Sequence, residues 1–468
     1  MQPADTLPES RSETSTPLRF VTAASLFDGH DAAINIMRRL IQAQGAEVIH
    51  LGHNRSVLDI VRAAIQEDAD AIAISSYQGG HIEFFKYMVD LLRERGAGHI
   101  RVFGGGGGTI TLDEICELQD YGVERIYHPD DGMHMGLVEM IHDVVERAAE
   151  HRVPTEFPGQ IDLADDGTIA NVISALEDEV FGEAELKLKR REWAGAKRHA
   201  PVIGITGTGG AGKSSVTDEL LNRFAQSFPA MRIAVLAVDP TRRRTGGALL
   251  GDRIRMNSLR NERVYMRSMA TRRQHLATSA ILQDAIAFLK SAGFDLVIVE
   301  TAGIGQSDSE IVDMVDFPVY VMTSDFGAQS QLEKIDMLDF AELVVLNKYD
   351  KRAAEDALRD VRKQWKRNHN AFHADDEDVP VYPTIASQFN DPGLTWMFAN
   401  LCRLLRDKLE LPIEAWTPDV DTSVKEPKAT VLIPAQRSRY LAEIAEQGRA
   451  VNAIIVEQAD AASRAQNY

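Results

Sequence analysis

The chain has 468 residues, 44% of them hydrophobic and 26% charged, a balance typical of globular domains, and its length leaves room for roughly three of them. Lysines and arginines number 51 against 70 aspartates and glutamates, for a formal net charge of −19. That charge argues against broad binding to nucleic acid or to anionic membranes, and no apolar run is long enough to cross a bilayer. Cys116 and Cys402 are far apart, which argues against a disulfide scaffold or a zinc module.

Residues 1–18 form a polar, mildly acidic segment rich in turn formers. The segment has neither the basic start and apolar centre of a secretory signal nor the arginine bias of a transit peptide. We therefore interpret it as a disordered lead-in, and we expect a cytoplasmic protein.

Residues 19–150 alternate short apolar runs with longer segments of helical spacing. Five runs are typical of buried strands: RFVTAASL, EVIHL, DAIAIS, HIRVF and VERIY. The apolar residues of DAAINIMRRLIQAQG repeat at helical spacing up to Gly45, where that helix should end. Strands that alternate with helices predict a doubly wound parallel sheet, here of the small flavodoxin-like (Rossmann-type) kind.

The rest of the chain divides into a linker, a second α/β domain and a tail. Residues 151–200 contain the charged run EAELKLKRREWAGAKRHAP, which we interpret as a helical linker, although a plain solvated helix explains it equally well. Residues 201–417 hold six apolar runs typical of a second parallel sheet: VIGIT, RIAVLAVD, DLVIVE, FPVYVMT, ELVVL and VPVYPT. Residues 418–468 are linker-like and end in a helical pattern over 437–466.

A glycine-rich turn joins the first strand of the second domain to a helix. Residues 207–214, GTGGAGKS, fit the pattern G-x-x-x-x-G-K-[ST] in that context, which is typical of a phosphate-binding loop. Backbone N–H groups and the helix N-terminus can hold phosphate, Lys213 can neutralise its oxygens, and Ser214 can ligate Mg²⁺. The predicted nucleotide contacts are Gly207, Gly209, Gly210, Ala211, Gly212, Lys213, Ser214 and Ser215. A glycine-rich turn without function is the weaker alternative.

The tetrapeptide NKYD, residues 347–350, follows the apolar run ELVVL. The Asp350 carboxylate can accept hydrogen bonds from guanine N1–H and the exocyclic amino group, which adenine does not present. The Lys348 stem can cover the base, and Asn347 can brace the loop. The tetrapeptide therefore favours GTP over ATP, with a polar turn as the alternative.

Three acidic residues are expected near the phosphates. Asp239 ends one apolar run and Glu300 another, so both lie at strand ends where they can bind Mg²⁺. Asp252 lies in the arginine-rich stretch TRRRTGGALLGDRIRM, which is either a nucleotide-sensing switch or a solvated basic loop. We expect Lys213, Glu300 and Asp252 to be catalytic. The predicted magnesium ligands are Ser214, Asp239, Asp252 and Glu300.

Residues 300–308, ETAGIGQSD, predict a second nucleotide-sensing loop, in which Gly303 can offer its N–H to the γ-phosphate. Small signalling GTPases carry a water-orienting glutamine directly after D-T-A-G. Here that position is Ile304, and Gln306 follows two residues later. We therefore expect intrinsic hydrolysis to be slow or to depend on a partner.

The first strand of the N-terminal domain is followed by the tetrapeptide DGHD, with Asp28 and His30. Doubly wound folds bind ligands at the carboxyl ends of their strands, and a carboxylate near an imidazole can orient it for metal ligation. A surface Asp–His pair is the better account of these residues taken alone. However, Ser75-Ser76 and the run Gly104–Gly108 follow other strands, which leaves space at the same edge for a long, flat group.

These residues resemble the cobalamin-binding module, which has D-x-H-x-x-G, S-x-L and G-G signatures. The residues that the resemblance assigns to the cofactor are His30, Asp28, Ser76, Gly104 and Gly105. It implies that His30 is the lower cobalt ligand, that Asp28 is its partner, and that the displaced nucleotide tail lies in the serine- and glycine-lined slot. The sequence departs from the signatures at Ala33, a glycine position, and at Tyr77, a leucine position. Both departures bear on tail packing and neither removes the cobalt ligand.

The order of the two domains resembles the fused isobutyryl-CoA mutases over residues 19–150 and 200–415. The second domain is similar to the MeaB/ArgK-type G-protein chaperones through GTGGAGKSS, VDPTRRRTGGALLGDRIRM, VETAGIGQSD and NKYD. The resemblance implies adenosylcobalamin, Mg²⁺ and GTP as ligands, GTP hydrolysis that gates cofactor loading and protects the mutase, and a homodimeric complete enzyme. It also implies a radical 1,2-rearrangement of isobutyryl-CoA to n-butyryl-CoA on a (β/α)₈ barrel, which needs about 250 residues.

No eight-fold series of strands and helices follows residue 415 in the sequence. We therefore expect an N-terminal fragment of a longer fused enzyme, with the acyl-CoA mutase barrel as its partner domain. Two other interpretations stay open. One is a stand-alone GTP-dependent cobalamin chaperone or sensor that acts on a separate mutase subunit. The other is a simple GTPase whose N-terminal domain binds no corrinoid and recruits partners.

Overall fold

The computed structural model describes residues 16–155, 157, 164–195, 200–242, 245–250, 252–271, 275–301, 310–326, 332–428 and 440–466. Residues up to 427 form one compact unit and residues from 428 onward a second. The first unit contains two parallel β-sheets with helices packed on both faces of each. This arrangement confirms the predicted α/β class.

The strands and helices are named in chain order. The strands are β1 (Arg19–Ser25), β2 (Glu47–Arg55), β3 (Ala71–Ser75), β4 (Arg101–Gly105), β5 (Arg125–Tyr127), β6 (Val202–Gly207), β7 (Ile233–Pro240), β8 (Ala248–Leu250), β9 (Val264–Thr271), β10 (Leu296–Thr301), β11 (Phe317–Thr323), β12 (Leu343–Asn347) and β13 (Val381–Thr384). The helices are α1 (Asp31–Ala43), α2 (Val57–Gln66), α3 (His81–Glu94), α4 (Leu112–Tyr121), α5 (Pro129–Met135), α6 (Leu137–Glu150), α7 (Asp166–Glu177), α8 (Glu183–Ala194), α9 (Lys213–Ser227), α10 (His275–Ser291), α11 (Met337–Phe340), α12 (Ala354–Asn368), α13 (Pro392–Leu409) and α14 (Tyr440–Gln466).

The N-terminal sheet has the strand order β5-β4-β3-β1-β2-β8. Helices α1 and α6 pack on one face, and α2, α3 and α4 pack on the other. The central strand β1 is buried along its whole length because helices cover both faces, as is usual for parallel sheets. The five predicted strands are all present. The sixth, β8, comes from the arginine-rich stretch of the second domain and pairs with β2, with Leu249 opposite Val48.

The second sheet has the strand order β13-β12-β11-β6-β10-β7-β9. Helices α9 and α13 pack on one face, while α10 and the linker helices cover part of the other. All six predicted strands are present. The sequence analysis missed β9, which pairs with β7 at the edge of the sheet, because Arg267 and Ser268 interrupt its apolar run.

The linker folds into two helices with different environments. In α7, Ile169 and Val172 are fully buried in the core beside the second sheet. In α8 most of the surface is exposed, but the Trp193 ring packs against the ring of Phe288 at 5.7 Å between centroids. Helix α7 is therefore part of the core, whereas the charged run that forms α8 is largely solvated and is attached to the core through Trp193. The predicted domain boundaries themselves stay a prediction.

The tail contains α14, whose described side chains are exposed. Its observed start at residue 440 falls within the predicted helix, and residues 437–439 lie outside the described residues. Within the ranges that the structure describes, no helix is long and apolar enough to cross a bilayer.

Six buried charged residues join the two sheets. We call them the buried ion cluster: Arg19, Glu47, Glu67, Glu177, Arg253 and Arg267. Glu67, just after α2, accepts a hydrogen bond from Arg253 Nε at 2.7 Å. It also accepts from the backbone N–H of Ser268 on β9 at 3.0 Å and from the Ser268 hydroxyl at 2.9 Å. One carboxylate of the N-terminal domain thus holds two segments of the second domain.

Arg19, at the start of β1, contacts all three glutamates of the cluster. Its guanidinium lies 2.7 Å from Glu47, 3.3 Å from Glu177 and 3.4 Å from Glu67. Arg267 on β9 pairs with Glu177 at 2.5 Å. Burial opposes the charged form of Arg19, but the carboxylates of Glu177, Glu47 and Glu67 outweigh it and raise the pKa of Arg19 above its ordinary value. The opposite charges balance, so that none is buried without compensation.

Replacing Glu67 by alanine should destabilise the protein strongly. The change leaves the buried arginines short of one carboxylate, which typically costs about 3–5 kcal/mol of unfolding free energy. Urea unfolding followed by circular dichroism measures the loss. The matched control, Asp356→Ala, removes an exposed ion pair with Arg359 and should cost less than about 1 kcal/mol. Equal losses in the two variants would show that the cluster does not hold the sheets together.

Candidate functional site

The glycine-rich loop lies between the end of β6 and the start of α9. Gly210 and Gly212 have φ values of 74° and 96°, a backbone conformation that disfavours residues with a Cβ. Lys213 is the first residue of α9, and its Nζ donates to the carbonyl oxygens of Gly207 at 3.0 Å and Thr208 at 3.3 Å. The Lys213 amine therefore lies against the first residues of the loop, at a helix N-terminus, where phosphate binds favourably.

Behind the loop, Glu300 at the end of β10 is 2% exposed. It accepts hydrogen bonds from the hydroxyls of Ser214 and Thr217, each at 2.8 Å. Asp239 lies one residue before the end of the neighbouring strand β7, two residues after Ala237, which pairs with Glu300. Because residues two apart in a strand face the same side of a sheet, the Asp239 and Glu300 carboxylates lie on the same face, next to the loop that carries Ser214. These hard oxygen donors fit Mg²⁺, which usually takes one or two carboxylates and completes its shell with water and substrate phosphates.

Other predicted residues of this site are not described. Asp252 begins a short 3₁₀ turn, but its side chain is outside the described residues. Gly303, Ile304 and Gln306 also lie outside them. Among the described residues, no three His, Cys, Asp or Glu side chains form a metal-binding group.

The tetrapeptide NKYD lies against the phosphate loop. Asn347 donates from Nδ2 to the carbonyl oxygen of Ala211 at 2.8 Å, and Lys348 Nζ donates to that of Gly210 at 2.7 Å. A Cβ on Gly212 would overlap the Asn347 amide, so this close approach requires a glycine. Asp350 is exposed and free to meet a base. The structure therefore brings the predicted phosphate and base determinants together.

The sequence analysis missed two residues that hold this arrangement. The Oδ1 atom of Asn347 accepts from the backbone N–H of Ala386 at 3.0 Å and from the hydroxyl of Thr384 at 3.2 Å. Both lie at or just after the end of β13. Only their position at the same sheet edge as β12 could have indicated them, since neither belongs to a motif of charged or glycine residues.

In the N-terminal sheet, Asp28 fixes the loop after β1. It is 2% exposed and accepts from the backbone N–H of His30 at 2.8 Å and of Tyr77 at 2.7 Å. Burial raises the pKa of this carboxyl, but hydrogen bonds from His30 and Tyr77 outweigh it and hold the pKa below the ordinary value. Asp28 also lies 2.9 Å from His30 Nδ1, which favours the proton on Nδ1 and leaves Nε2 as the electron donor. The His30 side chain is 74% exposed, as a ligand to an incoming metal must be.

A cavity of about 250 Å³ opens beside this histidine, between one face of the N-terminal sheet and helices α1 and α6. Its lining is largely apolar and includes Ala33, Met37, Phe103, Gly105, Tyr77 and Ile141. Gly105 faces the cavity because an added Cβ there meets nothing closer than the Tyr127 carbonyl oxygen at 3.5 Å. Gly104 faces the opposite core, where a Cβ would lie 2.5 Å from Phe85 Cζ. The two predicted glycines therefore act differently, one by leaving space and one by allowing helix α3 to pack.

The predicted serine contact also differs in detail from the structure. Ser76 is fully buried and its hydroxyl accepts from Ser25 at 3.0 Å, whereas Ser75 lines the cavity. The Ser75 hydroxyl is buried and has no hydrogen-bond partner in the described structure. A ligand with a polar atom can satisfy it. The role predicted for Ser76 stays a prediction, and Ser75 is the residue that the geometry adds.

This geometry defines a class of protein. A P-loop nucleotide site of the guanine-specific type is joined to a flavodoxin-like domain that presents a histidine beside an apolar slot. The slot, the oriented histidine and the orphaned Ser75 hydroxyl fit a cobalamin whose nucleotide tail enters the cavity.

Comparison with known proteins gives the same two parts. A model of the B12 binding domain matches residues 18–138, and a model of the methylmalonyl Co-A mutase-associated GTPase MeaB matches residues 178–401. The fused isobutyryl-CoA mutase of Geobacillus kaustophilus is 52% identical over 96% of this chain, and that of Cupriavidus metallidurans is 54% identical over 96%. A putative GTPase of Caulobacter vibrioides is 30% identical over 50% of this chain and 81% of its own length.

The chain belongs to the family of the fused isobutyryl-CoA mutases. It matches 42% and 41% of the length of the two relatives named above, so it spans about two fifths of them. This chain itself holds a B12-binding domain and a GTPase-family domain, and these two domains account for the two sites.

Filling the slot should block cobalamin without unfolding the domain. Gly105→Leu directs a side chain into the cavity, and we expect adenosylcobalamin affinity to fall about 10- to 100-fold, the usual cost of overfilling a packed site. Absorption titration measures the dissociation constant. Gly98→Leu, at an exposed turn where a Cβ has room, is the control and should bind normally. Unchanged affinity in the Gly105 variant would place the tail elsewhere.

Proposed function

We propose that this chain is the N-terminal part of an adenosylcobalamin-dependent acyl-CoA mutase that binds the corrinoid and hydrolyses GTP to gate cofactor loading and protect the mutase. The reaction of the whole enzyme is the radical 1,2-rearrangement of isobutyryl-CoA to n-butyryl-CoA. The names and the greater length of its relatives support this proposal. The acyl-CoA barrel, homodimer formation and a cytoplasmic location belong to the proposal as well.

One observation carries the gating part of the proposal. The arginine-rich stretch TRRRTGGALLGDRIRM, residues 241–256, which the sequence suggests as a nucleotide-sensing switch, contributes β8 to the N-terminal sheet. Within the same stretch, Arg253 pairs with Glu67. A change in this segment on GTP binding therefore acts on the cobalamin domain through backbone pairing and a buried ion pair. Physically continuous contacts of this kind can carry coupling between two sites.

Helix α1 gives this segment a link to the cobalt ligand. The helix begins directly after His30, and its Gln42 is 2% exposed. Gln42 Nε2 donates to the hydroxyl of Thr245 at 2.9 Å and to the carbonyl oxygen of Gly247 at 3.2 Å. A single rigid helix thus reaches from the loop that carries His30 to the residues just before β8.

At the nucleotide site, the chain's own residues bind and orient GTP. Lys213 exchanges its bonds with loop carbonyls for phosphate oxygens, which disperses their charge. The Ser214 hydroxyl, Asp239 and Glu300 are the residues that would hold Mg²⁺, which would supply a Lewis acid when bound. Asp350 recognises guanine. These roles support GTP hydrolysis in this domain.

At the corrinoid site, Asp28 holds the His30 ring through Nδ1, so that Nε2 would be the atom left to bind cobalt. The apolar cavity would exclude water from the nucleotide tail, and the Ser75 hydroxyl could donate a hydrogen bond to that tail. Bound adenosylcobalamin supplies a weak cobalt–carbon bond whose homolysis starts radical chemistry. The chain's contribution is to bind and orient the cofactor.

The base contact can be tested by exchanging acceptor for donor. Asp350→Asn should lower GTP affinity about 10- to 100-fold, because a charged hydrogen-bond acceptor is lost. The same variant should prefer xanthosine triphosphate, whose base has a carbonyl where guanine has an amino group. Fluorescent nucleotide titration measures both. Lys213→Ala is the control that should lose both nucleotides, and GTP turnover at the wild-type rate in that variant would refute the phosphate-loop assignment.

The link through α1 can be tested without touching either ligand. In the wild type we expect the adenosylcobalamin dissociation constant to differ between the GDP-bound and GTP-analogue-bound protein. Gln42→Leu removes the bonds to Thr245 and Gly247, so the ratio of the two constants should approach one while GTP binding stays normal. Gln44→Leu, a partly exposed neighbour on the same helix end, should keep the wild-type ratio. A full ratio in the Gln42 variant would exclude this route.

A further inference from the structure

Phe27, the residue before Asp28, combines two unfavourable properties. Its side chain is 84% exposed, although a large aromatic ring gains stability from burial. Its backbone has a φ of 65°, in the left-handed region that disfavours residues with a Cβ. Among the non-glycine residues with positive φ in the described part of the chain, it is the one aromatic residue. Strain of this kind persists where surrounding contacts impose it, and it is concentrated at ligand sites.

Asn54 imposes the conformation of Phe27. The Phe27 N–H donates to Asn54 Oδ1 at 2.8 Å, and Asn54 itself has a φ of 55° near the end of β2. On the other side, the Asp28 N–H donates to the Ser25 carbonyl oxygen at 3.1 Å. The loop is therefore held at both ends, and the exposure of the ring is a fixed property of the fold.

The position of Phe27 indicates what covers it. It lies three residues before His30 on the same loop, and the His30 ring is itself exposed. The Tyr77 ring, 5.3 Å from the His30 ring, borders the slot. A corrin is a wide, flat and mostly apolar macrocycle, so a corrin held at His30 covers the loop that carries this histidine. An exposed aromatic ring in that loop fits such a group.

We propose that Phe27 is a positioning residue for cobalamin, whose ring packs against the corrin held at His30 and keeps water from the cobalt-ligating nitrogen. This inference rests on the proposed binding of cobalamin at His30. It adds an apolar contact outside the slot, and it explains why the chain keeps a strained, exposed aromatic residue there.

Three variants separate the ring from the strain. Phe27→Asn removes the ring and introduces a residue that tolerates positive φ, so the cofactor-free protein should keep or raise its urea midpoint. Its affinity for adenosylcobalamin should fall about 10- to 100-fold, in keeping with the loss of an apolar contact of this size. A smaller fraction of the bound cofactor should show the His-on absorption spectrum. Phe27→Leu keeps an apolar side chain and should stay within about threefold of the wild type, and Asn54→Gly should give an intermediate loss.

Two controls make the result decisive. Phe372→Asn changes another exposed phenylalanine outside the cobalamin domain and should change neither affinity nor spectrum. His30→Ala tests the underlying proposal, because a His-on spectrum that survives this change means that His30 is not the ligand. If the His30 variant behaves as expected but Phe27→Asn binds and absorbs like the wild type, the role of Phe27 alone is wrong. If Phe27→Asn and Phe27→Leu lose stability and affinity together, the residue is structural and the inference also fails.

Discussion

The buried ion cluster is the interaction on which the arrangement of both domains depends. Arg19 and Glu67 belong to the N-terminal domain, whereas Arg253 and Arg267 belong to the second, and Glu177 comes from the linker. A buried charge without its partner is far less favourable than a charge in water. If either domain or the linker moved away, it would therefore leave a buried charge of the cluster unpaired. An apolar interface of equal size would allow sliding. Opposite charges at fixed hydrogen-bond distances specify one register between the sheets.

The proposed coupling between the two ligand sites, which lie on separate sheets, depends on that fixed register. Each site lies at the carboxyl ends of parallel strands, as doubly wound folds require, and each uses glycines where chains approach closely. Helix α1 begins at the loop of His30 and ends beside Thr245, so the helix joins one site to the segment leading to the other. In the proposed gating, the ion cluster keeps the surrounding residues in place. A displacement of the segment at Thr245 is then transmitted mainly along α1.

The sequence predicted both sheets and the phosphate loop because each has a local pattern of apolar runs or glycines. The role of His30 as cobalt ligand came from the resemblance to the cobalamin-binding module and stays a prediction. It did not predict β8, because three residues of an arginine-rich stretch have no strand signal and become a strand only by pairing with β2. It missed β9 because an arginine in a sequence predicts a position exposed to solvent. Arg267 is instead buried, and Glu177, about ninety residues earlier in the chain, neutralises its charge. The choice between Ser75 and Ser76 depended on which face of β3 meets the slot, and a shift of one residue reverses that face.

The pairing of β8 with β2 also has a consequence for how such a protein can be divided. The outer edge of β2 carries backbone N–H and carbonyl groups that the second domain covers. A cobalamin-binding piece cut out at the linker would display that edge to solvent, and bare edges recruit strands from other molecules and lead to aggregation. The second domain therefore protects this edge of the N-terminal sheet from such association.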